Sequence, residues 1–158
     1  MNIADYLYIS NIILCAVLAG FMVSYSITLG AYFTYMLKNG KLKQLQETYT
    51  PFRETTRAKM WYSVWVIAQT VVALLSLIFN AQNHFLIAQI YAVAVFPLYM
   101  IFHQIIGFGK VEEKVNSGNK NISNIEVKLH SRYNLTLHRI YAVLYLIAAI
   151  WLIFDIVK

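Results

Sequence analysis

The chain has 158 residues, 59% of them apolar and 13% charged, with a net charge of +6. That length supports one domain, and the composition is too apolar for an ordinary soluble one. The apolar residues run in long blocks, without the polar stripe of a water-soluble helix bundle or the strict alternation of a membrane β-barrel.

The first block, residues 6–37, carries no charged side chain. A helix needs about 20 apolar residues to cross about 30 Å of hydrocarbon, so this one is long enough to tilt or project. Its start, MNIAD, has no Lys or Arg and does not read as the basic region of a signal peptide. Ala16, Gly20, Ser24 and Thr28 recur at four-residue spacing, a small-residue stripe that admits a close neighbour and marks a surface for homo- or hetero-oligomer contacts. The loop-proximal half is polar for a membrane helix, with Ser24, Tyr25, Ser26, Thr28, Tyr32, Thr34 and Tyr35, and is expected to face the bundle interior. Asn39-Gly40 then breaks the helix. A short interfacial helix over residues 41–49 is expected to end at Thr50-Pro51.

The second span is predicted over residues 60–79, with Trp61, Tyr62 and Trp65 as interfacial anchors. A tight turn at residues 80–83 joins it to the third, residues 85–108, in an antiparallel hairpin. Pro97 should kink that third helix about midway. A polar turn, Asn116-Ser117-Gly118-Asn119, precedes re-entry near Tyr133 and a fourth span over residues 135–157. The lone Cys15 excludes an internal disulfide.

Twelve of the thirteen Lys and Arg residues fall at one end of these helices, in the first and third connections or just inside the fourth span. Lys/Arg asymmetry orients membrane proteins, so this end is expected in the cytoplasm and both termini outside. The same asymmetry, with attraction to anionic headgroups, accounts for the basic balance, and no nucleic-acid module accompanies it. The expectation is an all-α integral membrane four-helix bundle forming a single domain in a bacterial plasma membrane.

No GxGxxG, P-loop, HExxH, CxxC or GxSxG is present. The candidate chemistry rests on histidine. His103 and His138 sit near the basic ends of antiparallel spans and so share a depth. Tyr91, Val95, Tyr99 and His103 form one helix face, and His138, Tyr141, Tyr145 and Ala148 another. Two such faces would line a cytoplasm-facing cavity for an apolar aromatic molecule. Ionisable side chains in a span are functional candidates. His103 and His138 read either as ligands of haem or a metal, or as proton-transfer groups; each also reads as an interfacial hydrogen-bonding residue. Tyr99 and Tyr141 would tune them, Arg132 and Arg139 would attract an anionic group, and Tyr35 and Gln104 complete the candidate ligand contacts. His130 in the loop and His84 at the outer interface read as ordinary.

The segment AGFMVSYSITLGAYF, the basic loop with Gln44 and Gln46, the tight hairpin and the re-entry SRYNLTLHRIYAVLYL together resemble the anthrone-oxygenase-like family of small four-helix membrane proteins. Arg132, Tyr133, His138 and Arg139 come nearest to its re-entry motif. The resemblance implies cofactor-independent oxidation of an aromatic substrate. RETTRAK is similar to the arginine-rich entry of the second helix in membrane glutathione transferases. The rival reading is a non-catalytic accessory, assembly or immunity protein acting through the Ala16–Gly20–Ser24 stripe.

Overall fold

A computed structural model describes residues 2–80, 86–119 and 121–157. Seven helices cover nearly all of them: α1 (Ile3–Ile27), α2 (Leu29–Lys38), α3 (Leu42–Thr56), α4 (Ala58–Ile78), α5 (Leu86–Ile106), α6 (Phe108–Asn116) and α7 (Asn124–Val157). Among the described residues, four stretches are long and apolar enough to cross a membrane: Ile3–Lys38, Ala58–Ile78, Leu86–Ile106 and Asn124–Val157. Their outward faces are apolar, with Ile13, Ile67, Ile101 and Ile147 all exposed, a surface suited to hydrocarbon.

The four long helices close a ring in which α1 packs on α4 and α7, and α5 packs on the same two. Asn2 opens α1 through a capping box, its side chain accepting from the Asp5 amide while Asp5 accepts from the Asn2 amide. The face α1 turns inward is Tyr8, Asn11, Cys15, Leu18, Ala19, Met22 and Ser26. Ala16, Gly20, Ser24 and Thr28 lie on its exposed face, and a Cβ added at Gly20 would meet nothing. Close packing inside the chain therefore uses another face of α1, and the small-residue stripe is left outward.

The first span is not one unbroken helix. Thr28 leaves helical geometry at φ −115° and ψ −100°, with its hydroxyl donating to the Ser24 carbonyl at 2.6 Å. The break re-aims α2, so the polar half divides. Ser26 and Thr34 are buried, whereas Ser24, Thr28, Tyr32 and Tyr35 are exposed. The expectation of a wholly inward polar half is corrected accordingly.

The helix after the first loop does not stop at Pro51. α3 runs through it to Thr56. Proline removes one backbone donor, but tertiary contacts hold this helix across the gap. Leu45 is buried with Phe33, Met36, Leu37, Val111 and Val115 in a second, smaller core under the main bundle. Gln46 donates to the Asn119 carbonyl at 3.0 Å, and Arg53 and Lys59 both reach Glu113 at 2.8 Å. α5 likewise continues through Pro97.

The last helix starts well before residue 135. Ser123 and Glu126 cap it reciprocally, Glu126 accepting from the Ser123 amide at 2.8 Å and Ser123 from the Glu126 amide at 3.3 Å. Its 34 residues make a rod of roughly 51 Å, longer than the hydrocarbon, so its first turns project at the basic end. The hairpin turn at residues 81–83 and His84 lie outside the described residues.

Candidate functional site

Inside the basic end of the bundle, polar aromatic side chains from several helices converge. α5 supplies Tyr99 and His103. Together with Val95 and Tyr91 they face inward, as their four-residue spacing requires. α7 supplies His138, Tyr141, Tyr145 and Ala148, all buried. The two faces meet where Tyr141 Oη lies 3.2 Å from His103 Nδ1 and donates to the Tyr99 carbonyl at 3.2 Å.

Each imidazole is oriented by its own helix. His103 Nδ1 lies 3.1 Å from the Tyr99 carbonyl, and His138 Nδ1 lies 2.7 Å from the Asn134 carbonyl. A carbonyl only accepts, so Nδ1 carries the proton in both rings. Nε2 is then the basic nitrogen. In His103 it is enclosed by protein and has no hydrogen-bond partner among the described residues.

α1 and α2 contribute groups that periodicity alone did not single out. Tyr25 stacks on His138 with ring centroids 4.1 Å apart and donates to Asn134 Oδ1 at 2.9 Å. Asn134 Nδ2 in turn donates to the Gly30 carbonyl at 3.1 Å. Gly30 is required here, because a Cβ would lie 2.6 Å from Tyr25 Cε1. The Thr28 break thus folds α2 back so that Gly30, Tyr25, Asn134 and His138 lock together.

His130 is the largest revision of the sequence reading. It sits on α7, is 0% exposed, and neither ring nitrogen has a partner among the described residues. Phe108 lies between it and His103, 5.3 Å from each ring. The apolar run of the last span begins after His130, so hydropathy alone places this residue in a loop. The Ser123–Glu126 capping box was the available signal that the helix starts upstream. Asn134 falls in the same misread segment, and Tyr25 was hidden among tyrosines typical of a membrane interface.

Four other candidates are not brought into this cluster. Tyr35 is exposed, with Lys41 Nζ 5.5 Å from its ring centre. Gln104 points outward, one residue past the inward His103. Arg132 and Arg139 are exposed on α7, with Arg132 lying over the Tyr133 ring. A helix turns about 100° per residue, so neighbours of an inward histidine face out.

The geometry does not suit haem on His103. A macrocycle bound at its Nε2 would displace protein atoms that enclose that nitrogen, while Tyr99 already covers the ring at 4.0 Å. Among the described residues no group of three or more His, Cys, Asp or Glu side chains is placed to share a metal ion. What the arrangement offers is hydrogen bonding and proton transfer. Imidazoles with a basic nitrogen stand among phenolic hydroxyls in the buried interior.

One open groove, of about 530 Å³, lies away from these rings, between the α3–α4 corner and α6, and includes Arg57, Lys59, Ser63 and Glu113. Comparisons with family models, with curated proteins and with solved structures give no match.

Proposed function

We propose that this chain is a multi-pass membrane oxidoreductase of the cofactor-independent kind, acting on an apolar aromatic molecule at its basic, cytoplasm-facing end. The observation that carries this reading is the pair of imidazoles at one depth, each with Nδ1 tied to a backbone carbonyl. Such a pair is preset to accept protons at Nε2 from a carbon or oxygen acid. Tyr25, Tyr99 and Tyr141 supply hydroxyls for the oxyanion that forms. Dioxygen is the oxidant, as the resemblance to anthrone oxygenases implies: an anthrone and one dioxygen give a quinone and one water. Substrate entry requires the aromatic rings now in contact to part.

The test is dioxygen consumption and quinone absorbance with purified, detergent-solubilised protein and an anthrone as probe. His103→Ala and His138→Ala should each lower turnover by about a hundredfold. Gln104→Ala, which changes an outward side chain, should leave it intact. No dioxygen uptake by the folded wild type overturns the reading.

The second reading is a non-catalytic partner protein, and one observation favours it: Ala16, Gly20 and Ser24 are exposed and unused within the chain. On this reading Gly20→Leu abolishes recovery of a complex by cross-linking, while the histidine variants leave it unchanged.

A further inference from the structure

The open groove at the α3–α4 corner lies outside the histidine cluster and has a different chemistry. Arg53, Glu54 and Arg57 come to it from α3 and its end, Lys59 and Met60 from α4, and Glu113 from α6. Arg57 makes the corner. At φ 52° and ψ 35° it is the one non-glycine residue with positive φ among the described residues. Its backbone turns the chain from α3 into α4, and its side chain is left exposed.

Charge in the groove does not cancel. Arg53 and Lys59 both reach one oxygen, Glu113 Oε2, at 2.8 Å, so two cations share a single carboxylate. The Arg57 guanidinium is exposed and has no ion pair or hydrogen bond among the described residues. Glu54 is likewise without an ion pair there, which leaves three cations against two carboxylates. A free guanidinium offers a planar fork of N–H donors, the geometry that fits a phosphate.

The groove also opens onto an apolar track. Met60 lines it and is exposed, and Val64, Ile67 and Val71 follow at helical spacing along the same outward face of α4. Trp61 is exposed beside Met60, at the level where a membrane helix carries its interfacial aromatics. A ligand with an anionic head and an apolar tail has both parts matched here. Inorganic phosphate and soluble phosphate esters match the head alone.

We propose that this groove binds one anionic phospholipid from the leaflet at the basic end. Arg57 holds its phosphodiester, with Arg53 and Lys59 adding positive charge, and an acyl chain lies along Met60, Val64, Ile67 and Val71. The volume of about 530 Å³ is within the range of small-molecule sites. Basic pockets at the loop end of membrane helices take phospholipid headgroups by this combination of charge and depth. Diffuse attraction to an anionic surface treats every exposed cation alike, whereas the groove singles out Arg57. The inference goes beyond the functional reading above and does not depend on the interior imidazoles.

Native mass spectrometry of the detergent-solubilised full chain, titrated with phosphatidylglycerol or phosphatidylcholine, tests it. The wild type should hold one phosphatidylglycerol about tenfold more tightly than phosphatidylcholine. Arg57→Gly should abolish that preference while keeping the corner, because glycine adopts positive φ freely. Should the glycine loosen the fold, Arg57→Gln serves and should have the same effect. Lys128→Ala, which removes an exposed cation of α7 outside the groove, should leave the preference unchanged. Excess glycerol phosphate should fail to displace the lipid. Equal binding of the two lipids, or equal losses in the Arg57 and Lys128 variants, overturns the proposal. Full displacement by glycerol phosphate overturns it too, in favour of a soluble phosphate ester.

Discussion

The two halves of the bundle interior handle buried polarity in different ways. Towards the termini and the middle, the buried polar groups are mostly amides, with the Ser76 hydroxyl, the Cys15 thiol, the Tyr8 phenol and the Asp155 carboxyl beside them. Gln69 Nε2 reaches Asn11 Oδ1 at 3.3 Å and the Ala92 carbonyl at 3.4 Å, and Asn80 donates to Gln89 at 2.9 Å. These contacts join α1, α4 and α5 across the ring. The two amide atoms left unengaged there, Asn11 Nδ2 and Gln69 Oε1, are a donor and an acceptor that can serve each other after a small rotation. Towards the basic loops, imidazoles and phenols join the Asn134 amide and the Ser26 and Thr34 hydroxyls, and the unengaged atoms include imidazole nitrogens: Nε2 of His103 and both of His130. Amides do not titrate in the physiological range, whereas imidazoles do. In the middle of the bundle amides join the helices, whereas the imidazoles gather towards the basic loops.

The comparison is broken most directly by activity. Replacing His138 or His103 with Ala should lower anthrone turnover by about a hundredfold, while Gln69→Leu should leave it within about twofold. Equal losses at both ends would dissolve the distinction.

Stability ranks next. Gly30→Ala should destabilise by about 2–3 kcal/mol, because its Cβ would drive Tyr25 from the Asn134–His138 contact. Thermal unfolding in detergent measures this. Gln69→Leu should cost less, about 1 kcal/mol, the usual size of an interhelical polar contact in a membrane protein. A larger cost for Gln69→Leu than for Gly30→Ala would reverse the roles of the two halves.

The smallest effect is in pH dependence. Glu112 has a folded-state pKa of about 7, above its unfolded value. Burial thus favours the protonated form. The associated stability is complete below the unfolded pKa and is lost as pH rises through the folded one. Between about pH 5 and about pH 8 the wild type should therefore lose melting temperature relative to Glu112→Gln, the difference between the two curves being the readout. Glu113→Gln should show no such difference from the wild type, since the Glu113 pKa is depressed and its contribution is lost only in acid. A slope unchanged in Glu112→Gln would place the titrating group elsewhere.

Much of the scaffold was legible in the sequence. Charge-free runs of spanning length located the four long helices, and four-residue spacing oriented α5 and α7 so that His103 and His138 face inward. Both signals are local, set by how many apolar residues cross the hydrocarbon and by the helical repeat. Hydropathy marks only the apolar part of a helix and so misses the polar start of α7, which carries His130 and Asn134. Glu112 and Glu113 adjoin in a basic loop, and their order along the chain gives no sign that their surroundings differ.

The sequence by itself determined the helical class, the number of spanning segments and the segregation of basic residues at one end, since composition and periodicity act through nearest neighbours along the chain. Only the tertiary structure decided which polar groups meet. The Thr28 break, the Gly30 approach to Tyr25 and the fold-back of α6 beneath the bundle depend on contacts between residues distant in sequence. No local pattern encodes those contacts, yet they set which imidazole nitrogens lack partners among the described residues.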